Sequence, residues 1–351
     1  MNIGLIDADL LDNSTNFPNL ALMKISSYHK YQGNNVVLLD SYDHLENYDL
    51  VAVSKVFDYT KVPIDLSRYE NVVVGGTGFF FDKSPWLLSE IEHSMPDYSL
   101  YDNMLHRVKS ENKAYYKDYS IGYLSRFCYR KCAFCVNRNY DKVIEWSPLN
   151  EFFDPSRKKI CLLDDNIFGY KGYKKLFKDL IYTGRYFQFK QGLDFRLMDE
   201  EKAELLTASK YDGDYIFAFD DIRDKDIILR KLKIWLKYWN GNKNTKFYVL
   251  CAYKSQDIDD IVSTFERIKI LAEHGCNSYI MRHMHYKGSR FEKLYKAIAS
   301  WCNQPHLFHK MSFREFAVLR GMRGELYKQY REEEKWEEYA DTYSKGSTWR
   351  A

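Results

Sequence analysis

The sequence predicts an α/β protein in two parts, a small N-terminal domain on a parallel sheet followed by a partial barrel of six strand-then-helix units. Three observations carry this. In the first 80 residues, short unbroken apolar runs alternate with helical stretches, the pattern of strands buried on both faces. From Tyr119 the alternation becomes regular and recurs six times. Charge also divides the chain: residues 1–110 hold 8 Lys/Arg against 15 Asp/Glu, whereas residues 111–351 hold 44 against 34. A length of 351 residues suits two domains, or one barrel with an appendage.

The elements follow in chain order. Asn2–Ala8 is an apolar strand. Leu20, Met23, Lys24, Ser27 and Tyr31 have helical spacing, and Gly33 just after them is a stop signal. Asn35–Leu39, Leu50–Val53 and Asn71–Val74 read as further strands, the last running into Gly75-Gly76-Thr77-Gly78. The connection before that fourth strand is short and holds Pro63, so its helix is stunted. Residues 1–80 form the first domain. Residues 81–118 read as a linker, broken by Pro85, Pro96 and the Tyr/Asp-rich stretch around Asp97 and Tyr101.

The barrel occupies 119–305. Its strands are expected at Ile121–Ser125, Lys159–Leu163, Phe187–Lys190, Tyr215–Phe219, Lys246–Leu250 and Tyr279–Met281. Helices are expected near 140–145, 171–182, 199–209, 224–239, 256–273 and 289–301. In the fifth, Ile258, Ile261, Val262, Phe265, Ile268 and Leu271 share one face. A charged and aromatic tail, 306–351, reads as a surface helix with a frayed end.

Apolar residues at 45% and charged residues at 29% describe a globular chain, and 17% aromatics exclude intrinsic disorder. No apolar run reaches the roughly 20 residues of a membrane helix. The N-terminus opens like a strand, without the basic region of a signal peptide, so the expectation is a cytoplasmic protein with no membrane partner.

Seven cysteines, an odd number with three crowded into eight residues, suit a reducing compartment and a metal site. Cys128, Cys132 and Cys135 form C-x3-C-x2-C directly after the first barrel strand, and in barrels the chemistry sits at the C-terminal ends of strands. Three thiolates on one loop can wrap a soft metal centre. Zinc sites usually close with a fourth ligand from a second knuckle, and none is present here. Iron–sulfur clusters are normally held by four cysteines, so three leave one iron open to a small molecule. Cys161, Cys251, Cys276 and Cys302 stand apart as small core hydrophobes.

This constellation resembles the radical S-adenosylmethionine (SAM) superfamily. The resemblance rests on C-x3-C-x2-C with the aromatic Phe134 before the third cysteine, on Gly122-Tyr123-Leu124-Ser125-Arg126 ahead of it and Val136-Asn137 after it. It covers roughly residues 119–300 and points to the branch with methylthiotransferases and cobalamin-domain enzymes. It implies a TIM-like barrel, a [4Fe–4S] cluster on Cys128, Cys132 and Cys135, and SAM cleaved by one electron to a 5′-deoxyadenosyl radical that abstracts hydrogen from a substrate. It further implies cofactor contacts from Phe134 near the adenine, from Asp164, Asp165 and Asn166 at the amino end, from Gln191 and Arg196 with the methionyl carboxylate on Arg196, and from Asp220 on the ribose. Several have plainer alternatives: a turn or helix cap for Asp164–Asn166, a surface ion pair for Arg196, a core aromatic for Phe134.

Residues 1–80 resemble the Rossmann or flavodoxin-like cobalamin domain fused to many such barrels. The glycines after the fourth strand would let backbone approach a flat ligand. The signature D-x-H-x-x-G is missing, because His29 lies within the expected helix and Gly33 is one residue too far. The domain is therefore read as degenerate, with cobalamin disfavoured. The expected partners are a one-electron reductant of flavodoxin or ferredoxin type and an unidentified substrate; the basic run Arg126, Arg130, Lys131 and Arg138 is compatible with a nucleotide or nucleic acid. The alternatives are a cobalamin-dependent radical methyltransferase, or a non-enzymatic iron–sulfur or zinc protein that senses redox state or binds nucleic acid.

Overall fold

The computed structural model describes residues 1–12 and 17–319, which fall into two compact units, residues 1–188 and the residues from Phe189 onward. The expected tail from residue 320, with its run Arg331–Trp336, lies outside the described residues.

The first unit opens with a four-stranded parallel sheet of β1 (Asn2–Asp7), β2 (Asn35–Leu38), β3 (Leu50–Ser54) and β4 (Val72–Gly75), in the order β2-β1-β3-β4. β1 is central and buried from Ile3 on, which its unbroken apolar run requires. The helix Leu20–Tyr31 runs between β1 and β2, capped by the Asn19 side chain, which accepts from the Leu22 N–H. His29 lies in this helix, beside Asn34. Between β3 and β4 there is only a 3-10 turn, Leu66–Arg68.

The segment after β4 packs closely. Leu100, Tyr101, Met104, Val108 and Tyr116 share a core with Ile3, Leu5, Leu22 and Met23. The Tyr101 hydroxyl donates to the buried Asp7 carboxylate at 2.7 Å and accepts from the Asn19 N–H at 3.0 Å.

Of the glycines after β4, Gly75 is open, with nothing within 4 Å of a Cβ placed there, whereas Gly76 and Gly78 are closely approached. Gly76 has φ +97°, and a Cβ there would overlap the Lys55 carbonyl oxygen; one at Gly78 would lie 2.6 Å from the Phe57 carbonyl oxygen. The Gly78 N–H donates to Lys55 O at 2.9 Å. These glycines let the loop after β4 lie against the loop after β3, so the backbone they admit is the chain's own.

Six strands of the partial barrel follow, with two extra short ones. β5 (Tyr119–Gly122) leads to an antiparallel pair, β6 (Ser125–Arg126) and β7 (Ile144–Glu145), then to β8 (Lys159–Leu162) and β9 (Tyr186–Phe189), whose last residue begins the second unit, in the sheet order β5-β8-β9. The helix expected near 140–145 is replaced by β7, which pairs with β6 and closes the cysteine loop into a ring. After β8 the helix Tyr173–Tyr182 buries Tyr173, Leu176, Phe177 and Leu180, the i, i+3, i+4, i+7 stripe of an amphipathic helix.

The second unit holds β10 (Tyr215–Ala218), β11 (Thr245–Cys251) and β12 (Asn277–Arg282), parallel and in sequence order. Its long helices are Glu200–Ala208, Lys225–Tyr238, Ile258–Glu273 and Glu292–Cys302. Asp199 and Asp257 cap the first and third. Helix Ile258–Glu273 buries Ile261, Phe265, Ile268 and Leu271 as expected, and also Arg267. The Arg267 guanidinium donates to the carbonyls of Phe219, Asp220 and Leu250 at 2.8–3.1 Å, tying the ends of β10 and β11 together. Among the described residues no helix is long and apolar enough to cross a membrane.

Candidate metal centre

Cys128, Cys132 and Cys135 lie on the loop between β6 and β7, and all three are half-buried. The loop turns sharply: Phe127 and Lys131 both adopt positive φ, 74° and 50°. Non-glycine residues held there cost about 1–3 kcal/mol each and persist only where surrounding structure fixes them. Here the fixing comes from the end of β8.

Asp164 is fully buried and accepts from the Leu124 N–H at 3.1 Å, the Ser125 N–H at 2.6 Å and the Ser125 hydroxyl at 2.7 Å. Asp165 accepts from the Phe127 N–H at 2.8 Å. Asn166 donates from Nδ2 to the Cys128 sulfur at 3.3 Å. Three consecutive side chains thus hold residues 124–128 almost atom by atom. Burial pushes Asp164 up to about 7, against the pull of the Ser125 and Leu124 donors, and raises Asp165 as well.

The sulfurs receive further donors. The Arg130 N–H points at Cys128 Sγ and the Asn137 N–H at Cys135 Sγ, both at 3.4 Å. Burial pushes the Cys135 thiol up to about 11, with Asp165 and the other two cysteines adding to the rise. Among the described residues no three His, Cys, Asp or Glu side chains converge on one point as ligands of a single ion. One buried acceptor is left over. Asn166 is 2% exposed and its Oδ1 has no partner, so this end of the loop has room in its hydrogen bonding for a donor from whatever fills the site. Three thiols, with N–H groups aimed at Cys128 and Cys135 and an orphaned amide oxygen beside Cys128, form a donor set that fits an anionic metal–sulfur group.

Beside the loop lies an arrangement that the sequence reading did not anticipate. The guanidinium of Arg126 sits 4.7–5.5 Å from the ring centroids of Tyr123, Trp146, Trp86 and Phe127. Glu92 faces it at 3.8 Å while pairing with the buried Lys24 at 2.9 Å and accepting from Trp146 Nε1. The only signal for it was the excess of aromatics near the cysteines. The remaining basic residues of the run are engaged locally. Lys131 pairs with Asp141 at 2.5 Å, Arg138 pairs with Asp82 at 2.7 Å and lies over Phe81, and Arg130 lies over Tyr129.

Phe134 is half-buried on the cysteine loop. Gln191, Arg196 and Asp220 belong to the second unit. Gln191 is exposed. Arg196 donates to Asp194 at 2.7 Å and to Asp224 at 2.9 Å, the ion pair foreseen as its plainer alternative. Asp220 accepts from the Leu250 N–H at 3.2 Å, and burial pushes it up to about 6 although the charge of Arg267 opposes this. The structure therefore brings Asp164, Asp165 and Asn166 to the cysteine loop; within the second unit Arg196 lies in the 3-10 turn Phe195–Leu197 and Asp220 follows the end of β10.

No family model and no curated protein matches the chain. Among solved structures it is similar to the radical S-adenosylmethionine methyltransferase TsrM from Kitasatospora setae, determined with tryptophan substrate and the SAM analogue aza-SAM bound. The two are 12% identical, with a TM-score of 0.53 over 80% of this chain and 72% of that one. At that identity the likeness is one of fold: an α/β protein whose small Rossmann-like domain precedes a partial TIM-like barrel.

Proposed function

We propose that the chain is a radical SAM enzyme in which Cys128, Cys132 and Cys135 hold a [4Fe–4S] cluster and leave one iron open for SAM. The observation that carries this reading is the convergence of Asp164, Asp165 and Asn166 on the first cysteine of the loop, on a fold similar to that of a radical SAM methyltransferase. When bound, such a cluster would supply the electron for reductive cleavage of SAM to methionine and a 5′-deoxyadenosyl radical able to take a hydrogen atom from a substrate.

The chain's own residues have separate tasks. Asp164 and Asp165 fix the backbone from Leu124 to Phe127, so the thiolates are positioned before any ligand arrives. The N–H groups of Arg130 and Asn137 stabilise negative charge on the sulfurs. Asn166 Oδ1 is a ready acceptor for the ammonium of the methionyl end. Phe134, on the cysteine loop itself, remains the candidate for the adenine. The electron would come from a reductant of flavodoxin or ferredoxin type. The reading includes no corrin, because the signature D-x-H-x-x-G is missing and the connection before β4 is short.

Anaerobic reconstitution tests it. The protein should take up about four irons per chain and, once reduced by dithionite, form 5′-deoxyadenosine and methionine from SAM. Stoichiometric zinc with no iron uptake would overturn the proposal.

A further inference from the structure

We infer that Asn166 tunes the reduction potential of the group bound at the cysteine loop by donating its side-chain amide to the Cys128 sulfur; this rests on reading the loop as cluster-binding.

Asn166 occupies the N-cap position of the 3-10 turn Ile167–Gly169, where an asparagine normally accepts from a backbone N–H within the turn. It makes no such bond. Its side chain instead brings Nδ2 to 3.3 Å from Cys128 Sγ. Gly169 keeps the space open: a Cβ there would lie 3.2 Å from Asn166 Nδ2 and 2.9 Å from both Tyr129 and Val143 side-chain carbons. On the other side of the contact, Asp164 and Asp165 hold the chain that leads into Cys128. Donor and sulfur are therefore both held, and the amide at 2% exposure has no water to turn toward.

Cys128 thus receives two N–H donors, the Arg130 backbone and the Asn166 side chain. The second can be removed without altering the backbone. On one-electron reduction, charge on the cluster and its thiolate sulfurs increases, and an N–H···S bond strengthens with that charge. It stabilises the reduced state more than the oxidised one and raises the potential, as hydrogen bonds to cluster sulfurs generally do. Asn166 is in this account a positioning and tuning residue.

The test is an anaerobic redox titration of the reconstituted protein, with dithionite as electron donor and electron paramagnetic resonance of the reduced cluster as readout, in the absence of SAM. Wild type, Asn166→Leu and Asn166→Asp are compared at equal iron content. Asn166→Leu should hold its iron and show a midpoint more negative than wild type. Asn166→Asp, which replaces the donor by an anion of the same size, should lie more negative still. Equal midpoints in all three would overturn the inference. Should both variants fail to hold iron, wild type carrying 15N in its asparagine side-chain amides is examined by electron–nuclear double resonance: a coupling absent from a control with unlabelled amides supports the contact, and no coupling overturns it. A wild type that takes up no iron defeats the cluster reading itself, and does so before any variant is measured.

Discussion

The buried carboxylate of Asp164 holds Ser125 twice, through its backbone N–H at 2.6 Å and its hydroxyl at 2.7 Å, across 39 residues of sequence. A contact of this kind fixes where the cysteine loop begins. Asp164→Asn keeps the shape but replaces one acceptor oxygen by an N–H donor facing donors. Leaving buried N–H groups unmet costs about 1–3 kcal/mol. Thermal melts at pH 8 should show Asp164→Asn clearly destabilised and its iron uptake reduced. Ser125→Ala, which removes only the hydroxyl, should lose about 1 kcal/mol or less. Wild-type stability and iron content in Asp164→Asn would contradict the clamp.

Replacement of Cys128, Cys132 or Cys135 by Ala should abolish iron uptake, because in the proposed reading each would supply an anionic ligand that water does not replace. Cys161, Cys251, Cys276 and Cys302 are buried, and burial pushes the Cys251 thiol up to about 12. Single Ala replacements of these four should leave iron content near wild type. Iron analysis after reconstitution checks both groups, and loss from any of the four would reveal a second cluster.

The loop contact of Gly76 gives a stability prediction. Gly76→Ala forces a side chain at φ +97° into the Lys55 carbonyl, and strain with overpacking should cost about 2–4 kcal/mol. Gly33 has a comparable φ of +78° but open space around it. Gly33→Ala should cost only the left-handed penalty of about 1–2 kcal/mol. Urea unfolding compares the two; equal losses would mean that the close approach to Lys55 carries no weight.

Strand positions were legible in the sequence because buried parallel strands write themselves as unbroken apolar runs. Asn35–Leu38, Lys159–Leu162 and Tyr215–Ala218 lie within one residue of their expected ends. Long-range pairing was not legible. Ile144–Glu145 carries no local sign that its partner is Ser125–Arg126, so a helix was expected there. Arg267 sits between Phe265 and Ile268, where charge alone argues for the solvated face; its burial depends on carbonyls at the ends of two distant strands. The run Asp164–Asn166 was expected at a cofactor's amino end or as a turn or cap; its hold on the cysteine loop required knowing which strand ends lie side by side. Gly76 was recognised as a close-approach position, but the Lys55 carbonyl that approaches it was not legible.

Asp7 provides a pH dependence within the first domain. Burial pushes its carboxyl up to about 7, opposed by the Tyr101 hydroxyl that donates to it. Unfolded, it ionises near 3.9. Between these values the folded chain binds the extra proton, so the stability Asp7 contributes is full below about pH 4 and is lost as pH rises through about 7. Wild type should therefore lose melting temperature relative to Asp7→Asn between pH 5 and pH 8, on the order of several degrees. Parallel profiles for the two proteins would contradict the raised value.

The central claim is that three cysteines leave an iron open to SAM. It is tested most directly by the electron paramagnetic resonance spectrum of the reduced, reconstituted protein before and after SAM is added. The account predicts that SAM changes the spectrum of the cluster, because the methionyl amine and carboxylate would bind the iron that carries no cysteine. An unchanged spectrum at saturating SAM would contradict it.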